Sequence, residues 1–443
     1  MTARLRFDVA HFGVFCPPWM GHLNPFSALA RELTGRGHRV TFFHLADFGD
    51  EIRKRGFRFE AFGEKQYPAG MFTEMHRKMS LLDGIEAMRA GLDILKIQAE
   101  ALFTTAPPVI EKSGLDLWLI DQLEYAASTL AACMRAPFVT IIVGLMRHWE
   151  DGVPGWSGEP YMGGADALER DRRFDAAMSA AGAPYREYVG TWREKAGLGP
   201  FSLDTVWSNL AQITQEPAEL EFPRRRLPPC FHFTGPFMRP DGRPPVPFPW
   251  ERLTGQPLIY ASFGTMQNRN LRPYQAVADV AAGLDAQIVL SLGGAEAPGV
   301  AGEPPPNLLV VPFAPQLELL ERAVLAVTHS GMNSTLESLA AGVPMVAVPI
   351  AHDQAGVAAR IERTGTGVRV PAAECDAARL LQAIRTVLRN PSYRESSRRF
   401  QRILAGRNGL ARAADIIERV VETGRPVLRE EPAEGPRDQP AEA

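Results

Sequence analysis

Cysteine is scarce in this sequence, and long apolar runs are missing. The 443 residues include four cysteines, far apart and never in a C-x-x-C pair: Cys16, Cys133, Cys230 and Cys375. A disulfide scaffold or a zinc module is therefore not expected, and the predicted location is the reducing cytoplasm. No apolar run reaches the roughly 18 residues of a transmembrane helix. Residues 1–16 read as a first strand rather than a signal peptide.

An excess of charge of one sign is also missing. The chain has 48 lysines and arginines and 51 aspartates and glutamates, so its net charge is −3. This balance argues against general attraction to nucleic acid or to an anionic membrane. No two aspartates stand two positions apart, so the sequence lacks the D-x-D pattern that holds a divalent metal on a diphosphate. A hydrophobic fraction of 45% supports sizeable cores and excludes a mostly disordered chain.

Apolar runs alternate with helical patterns along the chain. Residues 7–15, 24–35 and 38–44 read as strand, helix and strand, a unit that predicts a parallel sheet. The alternation restarts at residues 258–263 after a proline-rich stretch. We therefore predict an α/β protein with two Rossmann-like, doubly wound domains that face a central cleft.

Composition shifts mark the predicted boundaries. Six prolines within residues 236–249 exclude a helix interior or a central strand there and indicate a linker. The predicted parts are a first domain over 1–235, the linker over 236–250, a second domain over 251–405, a helix over 406–423 and a disordered tail over 424–443.

Methionine and aromatic residues are concentrated in two segments of the first domain, residues 68–104 and 145–192. They either pack helices against the sheet or form the apolar wall of a ligand pocket, and the sequence leaves both interpretations open. The candidates for an apolar acceptor pocket are Met75, Met79, Met88, Met146 and Trp149.

Residues 313–354 carry the strongest pattern. A strand is predicted to end at His329, and the glycine turn after it starts a helix that Asn333 or Ser334 can cap. Free N–H groups and the positive end of the helix dipole would attract an anion there. Glu337, one turn further on, can accept hydrogen bonds from ribose hydroxyls. The array fits a nucleoside diphosphate, although an ordinary capped strand–helix turn uses the same residue types.

Together with motifs elsewhere in the chain, this segment resembles the UDP-glycosyltransferase family. The matching residues are Gly21-His22-x-Asn24-Pro25, Asp121, Ser262-Phe263-Gly264-Thr265, Pro315-Gln316, His329, Gly331, Asn333-Ser334, Glu337, Gly342-Val343-Pro344 and Asp353-Gln354. Departures from the plant members suggest a bacterial member of the macrolide- or carotenoid-type branch; they are Phe313, Ser330, Met332 and a slightly shorter segment. The resemblance implies the GT-B fold and a C-terminal helix that crosses back to the first domain.

The resemblance also implies roles in donor binding. Phe313 would stack on uracil and the backbone of Ala314 would bind it, while Gln316 and Glu337 would hold the ribose. His329 would contact the α-phosphate. The other donor-site residues would surround the diphosphate (Thr265, Gly331, Asn333 and Ser334) or bind sugar hydroxyls (Asp353 and Gln354). Because Asp353-Gln354 is similar to the ending in glucose-preferring members, UDP-glucose is the expected donor.

His22 and Asp121 are the predicted catalytic pair. Each follows a strand of the first sheet, at the edge where ligands bind in open α/β sheets. An imidazole can take a proton from an attacking hydroxyl at neutral pH, and a carboxylate on its other nitrogen would fix the tautomer. Taken alone, the two residues could equally be a helix-start histidine and a helix cap.

The predicted function is metal-independent, inverting transfer of a hexose from a UDP-sugar to a hydroxyl of an apolar small molecule. A flavonoid, macrolide or carotenoid would be such an acceptor, and the product would be a β-glycoside. No nucleophile–base pair beside the donor site indicates a covalent intermediate. Two alternatives remain, a UDP-sugar epimerase and a non-catalytic nucleotide-sugar-binding protein. No resident cofactor, nucleic-acid partner or integral membrane segment is expected.

Overall fold

The fold consists of two parallel sheets covered by helices. The computed structural model describes residues 9–239, 245–294 and 299–429. The first sheet has the order β3-β2-β1-β4-β5-β6-β7. Its strands are β1 (His11–Phe15), β2 (Arg39–Leu45), β3 (Arg58–Phe62), β4 (Leu117–Asp121), β5 (Phe138–Ile142), β6 (Gln212–Thr214) and β7 (Phe231–Phe233). Residues 7–8, the start of the predicted first strand, lie outside the described residues.

The second sheet has the order β10-β9-β8-β11-β12-β13. Its strands are β8 (Leu258–Ser262), β9 (Gln287–Ser291), β10 (Leu308–Val311), β11 (Ala323–Thr328), β12 (Met345–Ala347) and β13 (Gly367–Arg369). Both sheets reverse strand order next to their first strand, which is the doubly wound arrangement. The predicted pair of Rossmann-like domains is thereby confirmed.

Helices cover both faces of each sheet. In the first half they are α1 (Met20–Gly35), α2 (Gly49–Lys54), α3 (Met71–Met79), α4 (Gly84–Thr105), α5 (Pro107–Ser113), α6 (Tyr125–Cys133), α7 (Ala165–Lys195) and α8 (Leu203–Val206). In the second half they are α9 (Leu271–Ala281), α10 (Gln316–Leu320), α11 (Met332–Ala340), α12 (Gln354–Arg363), α13 (Ala377–Arg389), α14 (Pro391–Ala405) and α15 (Gly409–Thr423). No helix in the described ranges is both long enough and apolar enough to cross a membrane.

The central strands of the first sheet are buried on both faces, which fixes where their carboxyl ends lie. Every residue of β1 and β4 is buried, as expected for continuous apolar runs in a parallel sheet. The two strands pair in register, with Phe15 opposite Ile120. Their carboxyl ends therefore lie side by side, and the segments that follow them meet at one edge of the sheet.

The C-terminal helix α15 packs on the first domain. Ala414 and Ile417 are fully buried in the same apolar cluster as Phe12 of β1. Arg36, at the end of α1, binds Asp415 and Glu418 of α15 at 2.6 and 2.7 Å. Helix α15, which follows the second domain in the chain, is thus tied to the first domain.

The predicted disordered tail needs correction at its start. The amide of Val427 donates to the carbonyl of Leu210 at 2.9 Å, and the Val427 side chain is buried in the core of the first domain. The chain around Val427 therefore contacts the first domain, because an apolar valine interrupts the polar composition, while the residues on either side of it are exposed. The remainder of the predicted tail, residues 430–443, and residues 240–244 of the predicted linker lie outside the described residues.

A buried ion pair connects the two domains. Segment 215–222, which follows β6, carries Glu221, and its carboxylate binds the guanidinium of Arg360 from α12 at 2.5 Å. Both side chains are almost fully buried. Burial alone would raise the pKa of Glu221, but the charges of Arg360 and Arg224 outweigh it and hold that pKa below its ordinary value. Glu221 is therefore a carboxylate held between two arginines.

Candidate active site

A cleft of about 750 Å³ separates the two domains. It lies at the carboxyl ends of both sets of strands, where the doubly wound arrangement places ligands. His22 and Met88 line it from the first domain, and Thr265 and His329 line it from the second. All eleven predicted donor-site residues are among the residues that line this one cavity.

The side chains of His22 and Asp121 are in direct contact on the first-domain side of the cleft. Asp121 is the last residue of β4, and its side chain is fully buried. His22 lies in the first turn of α1, and its Nδ1 is 2.7 Å from Oδ2 of Asp121. The other carboxylate oxygen accepts from the amide of Leu123 at 2.9 Å, which fixes the carboxylate plane. The Nδ1–H tautomer of His22 is thereby favoured, so Nε2 is the nitrogen left to accept a proton.

A second buried carboxyl behind this pair was not recognised from the sequence. Glu124 lies three residues after Asp121 and accepts a hydrogen bond from Gln98 at 3.1 Å. Burial, with a smaller contribution from the charge of Asp121, raises the pKa of Glu124 to about 8. Glu124 is therefore neutral at pH 7 and adds no second charge behind His22. Nothing in the sequence pointed to a buried carboxyl here, because a glutamate just before a helix is usually an exposed cap.

The donor half of the cleft is built around the turn between β11 and α11. His329 follows this strand, and burial lowers the pKa of its imidazole to about 4, so the ring is neutral. Its Nδ1 is buried and lacks a hydrogen-bond partner in the described part of the chain. A Cβ at Gly264 or Gly331 would lie 2.7 or 2.5 Å from its Nε2. Glycine is needed at both positions because any side chain would displace the ring.

The predicted ribose-binding side chains support each other. Gln316, the first residue of α10, donates to Oε2 of Glu337 at 2.5 Å and accepts from the hydroxyl of Tyr260 at 3.0 Å. Glu337 itself is buried within α11. Phe313 lies at the rim with 45% of its surface exposed, which leaves an aromatic face open to a base. Ala314 lines the cleft beside it.

Two predicted donor ligands make contacts across the cleft. The amide nitrogen of Asn333 donates to the carbonyl of Gly21 at 2.7 Å, and its oxygen accepts from Gln215 at 2.7 Å. The carboxylate of Asp353 accepts from the amide of Leu145 at 2.8 Å. A donor that bound the side chain of Asn333 would therefore have to replace contacts with the first domain, whereas Asp353 keeps its other carboxylate oxygen.

The neighbours of Asp353 contribute in different ways. The side-chain oxygen of Gln354 accepts from the amides of Ile350 and Ala351, so its NH₂ group is the part left for a ligand. His352, which the sequence did not single out, lines the cleft in a left-handed backbone conformation with φ of 58° and contacts Gln267 at 3.1 Å.

Four of the five acceptor-pocket candidates lie elsewhere in the structure. Met75 and Met79 of α3 pack into the core of the first domain, and Met146 is buried beside β5 and β7. Trp149 is partly buried with its ring against Gly155. Of the five candidates, Met88 alone lines the cleft. The other large apolar residues on the wall of the first domain are Trp19, Met20, Leu92, Leu95, Leu123, Val143 and Trp156.

Within the described residues, no group of three or more His, Cys, Asp or Glu side chains could hold a metal ion. The metal-independent mechanism stays a prediction.

Comparison with known proteins agrees with this geometry. Residues 201–424, just over half of the chain, match the family model described as UDP-glucoronosyl and UDP-glucosyl transferase. Residues 20–116 match the glycosyltransferase family 28 N-terminal domain. The chain belongs to the UDP-glycosyltransferase family.

Curated relatives extend this match to nearly the whole chain. A zeaxanthin glucosyltransferase of Pantoea ananas is 30% identical over 95% of this chain and 98% of that protein. A second zeaxanthin glucosyltransferase, from Pseudescherichia vulneris, is 32% identical over 82% of this chain and 86% of that protein. This UDP-glycosyltransferase is thus a glycosyl-transferring enzyme, rather than the epimerase or the non-catalytic binding protein that the sequence left open.

Solved structures show the same architecture. The glycosyltransferase of kitacinnamycin has 27% sequence identity and a TM-score of 0.74, and the match covers 94% of this chain and 100% of that one. The predicted GT-B fold is confirmed for this UDP-glycosyltransferase.

Proposed function

We propose that this UDP-glycosyltransferase transfers glucose from UDP-glucose to a hydroxyl of an apolar small molecule, with inversion at the anomeric carbon. The observation that carries the proposal is the contact of 2.7 Å between His22 and Asp121, at the wall of a cleft that the donor-site residues line from the other domain. The names of the zeaxanthin glucosyltransferases support a glucose donor and an apolar acceptor.

The proposed reaction is a single displacement. Nε2 of His22 takes the proton of the acceptor hydroxyl, and Asp121 stabilises the imidazolium that forms. The acceptor oxygen bonds to the anomeric carbon while the bond from that carbon to the β-phosphate oxygen breaks. The amides at the start of α11 then face the developing charge on UDP, and their fixed dipoles stabilise it. One inversion converts an α-linked donor into a β-linked product.

The sugar-binding roles of Asp353 and Gln354 belong to this proposal. Each side chain lines the cleft, and each keeps one polar group for sugar hydroxyls: the second carboxylate oxygen of Asp353 and the NH₂ group of Gln354. The cytoplasmic location stays a prediction, and it is supported by the finding that all four cysteines are free thiols.

The first test supplies UDP-glucose with apolar alcohols and phenols, and measures release of UDP and the mass of the product. We expect UDP release that depends on the acceptor, together with a product heavier by one hexose. The NMR coupling constant at the anomeric proton should indicate a β-glycoside. An α-glycoside would contradict the single displacement, and transfer only from other nucleotide sugars would contradict the glucose assignment.

A second prediction concerns ribose binding. Glu337→Gln is expected to raise the KM for UDP-glucose about tenfold or more, because a hydrogen bond to a charged group is lost in a buried site. The value of kcat should change much less, since this carboxylate lies away from the reacting carbon. Initial-rate kinetics measure both constants.

Glu318→Gln is the matched control for this substitution. Glu318 is an exposed residue of α10, the helix that begins with Gln316. Its replacement should leave both constants within about twofold, as for other surface changes. Equal effects of the two substitutions would contradict a role of Glu337 in ribose binding.

A further inference from the structure

One buried guanidinium on the cleft wall has no anionic partner in the described part of the chain. Arg147 follows β5 and lines the cleft, and only 6% of its surface is exposed. Its Nε lacks a hydrogen-bond partner, and among the described residues it forms no ion pair. The ring of Trp156 lies against its charge, with the ring centroid 4.8 Å from the guanidinium carbon.

Such an arrangement is unfavourable unless something else compensates the charge. A buried charge is costly without a partner, and an arginine cannot escape that cost by losing its proton. Contact with an aromatic face offsets only part of it. Two other deeply buried arginines show the usual solution: Arg360 binds Glu221 at 2.5 Å, and Arg55 binds Glu51 at 2.8 Å. Arg193 also forms no ion pair among the described residues, but it lies outside the cleft lining and donates to the carbonyl of Leu198 at 3.2 Å.

The surroundings of Arg147 identify the missing partner as an anion. Arg186 of α7 adds a second positive charge, and burial and the charge of Arg147 together lower the pKa of Arg186. Trp156 belongs to the same apolar cluster as Met88 of α4 and Met178 of α7. The wall therefore combines an apolar surface with positive potential.

The position of Arg147 distinguishes an acceptor anion from the diphosphate of the donor. Arg147 stands on the first domain with Trp156 and Met88, whereas the amides at the start of α11 stand on the second domain. Asp353, a predicted donor ligand, binds the amide of Leu145, two residues before Arg147, and forms no ion pair with Arg147 in the described structure.

We propose that the acceptor of this enzyme is an apolar hydroxy acid, whose carboxylate Arg147 binds while its hydroxyl contacts His22. A guanidinium pairs with a carboxylate through two parallel hydrogen bonds, so it would orient the acceptor as well as attract it. This inference rests on the proposed function, since it places the acceptor in the same cleft.

The test compares acids with their neutral esters at two molecular lengths. The acceptors are 4-hydroxycinnamic acid and 16-hydroxyhexadecanoic acid, each beside its methyl ester, with UDP-glucose as donor and UDP release as readout. For at least one pair we expect the acid to exceed the ester about tenfold or more in kcat/KM, the range for a hydrogen bond to a charged group. Arg147→Met should bring that ratio close to one through a higher KM for the acid.

Two further variants separate charge from packing. Arg147→Lys keeps the charge and should retain part of the preference for the acid. Arg173→Met removes an exposed arginine of α7 and should leave the ratio unchanged. Thermal unfolding and UDP binding of each variant report whether the fold and the donor site are intact.

The outcomes distinguish this inference from the proposed function. Equal turnover of acids and esters by the unaltered enzyme overturns the inference and leaves the transferase proposal standing. A higher KM for UDP-glucose in Arg147→Met, with an unchanged acid-to-ester ratio, assigns the guanidinium to the donor and also overturns it. No UDP release with any acceptor, neutral ones included, overturns both.

Discussion

Replacing His22 with alanine is expected to lower kcat for glycosyl transfer by about 10²–10⁴-fold, the usual contribution of a general base. The imidazole is the group on the first-domain wall that contacts a buried carboxylate while it faces the cleft. Affinity for UDP should stay unchanged, because the predicted donor ligands belong to the second domain. Steady-state UDP release and calorimetric titration with UDP measure the two effects separately.

Two aspartates at opposite ends of β4 provide the matched comparison. Asp121→Asn should lower kcat about 10²-fold or more, because an amide on Nδ1 no longer fixes the tautomer or stabilises the imidazolium. Asp116, just before the strand, accepts from the amide of His11 at 2.7 Å, at the amino end of β4 and not at the carboxyl end where the cleft lies. Asp116→Asn should leave kcat within about twofold. Unchanged UDP release in His22→Ala would defeat the catalytic assignment.

The contact between His22 and Asp121 could be predicted from the sequence although 99 positions separate the two residues. Each follows an apolar run, and neighbouring parallel strands place their carboxyl ends at one sheet edge. The donor-site assignments follow from the family resemblance and stay predictions, while the structure shows that these residues line one cleft. Most of them lie in one continuous segment, residues 313–354, whose strand–turn–helix pattern is local.

Contacts between the domains could not be predicted in this way. Gln215 reaches Asn333 across 118 positions, and Arg360 reaches Glu221 across 139. Such pairs depend on how two finished domains pack, which no local pattern encodes. The prediction of acceptor-pocket residues was wrong for most of the methionines for another reason. An apolar side chain on a helix can pack in a core or line a pocket, so the sequence alone does not distinguish Met79 from Met88.

Replacing Glu221 with glutamine is expected to lower the free energy of unfolding by roughly 3–5 kcal/mol, the cost of removing one partner of a buried ion pair. The other carboxyl near Arg360, that of Glu216 at 3.8 Å, has its pKa raised well above the ordinary value by burial and does not replace the lost charge at neutral pH. Arg360 is fully buried and cannot lose its proton, and Arg224 lies 3.4 Å from the same carboxylate. Glutamine keeps the shape of the side chain, so the loss reports charge and not volume. Urea-induced unfolding, followed by tryptophan fluorescence, measures the change.

Glu219 supplies a control only two residues away. Its carboxylate pairs with both terminal nitrogens of Arg407, at 2.7 and 2.5 Å, yet about 30% of each side chain is exposed. Glu219→Gln should cost about 1 kcal/mol or less, since water screens the pair and solvates whichever partner remains. Both ion pairs link segment 215–222 to a residue after position 355. The two variants therefore differ mainly in how deeply the broken ion pair is buried. Equal losses in the two variants would contradict the expectation that burial makes the Glu221 pair the costlier of the two to break.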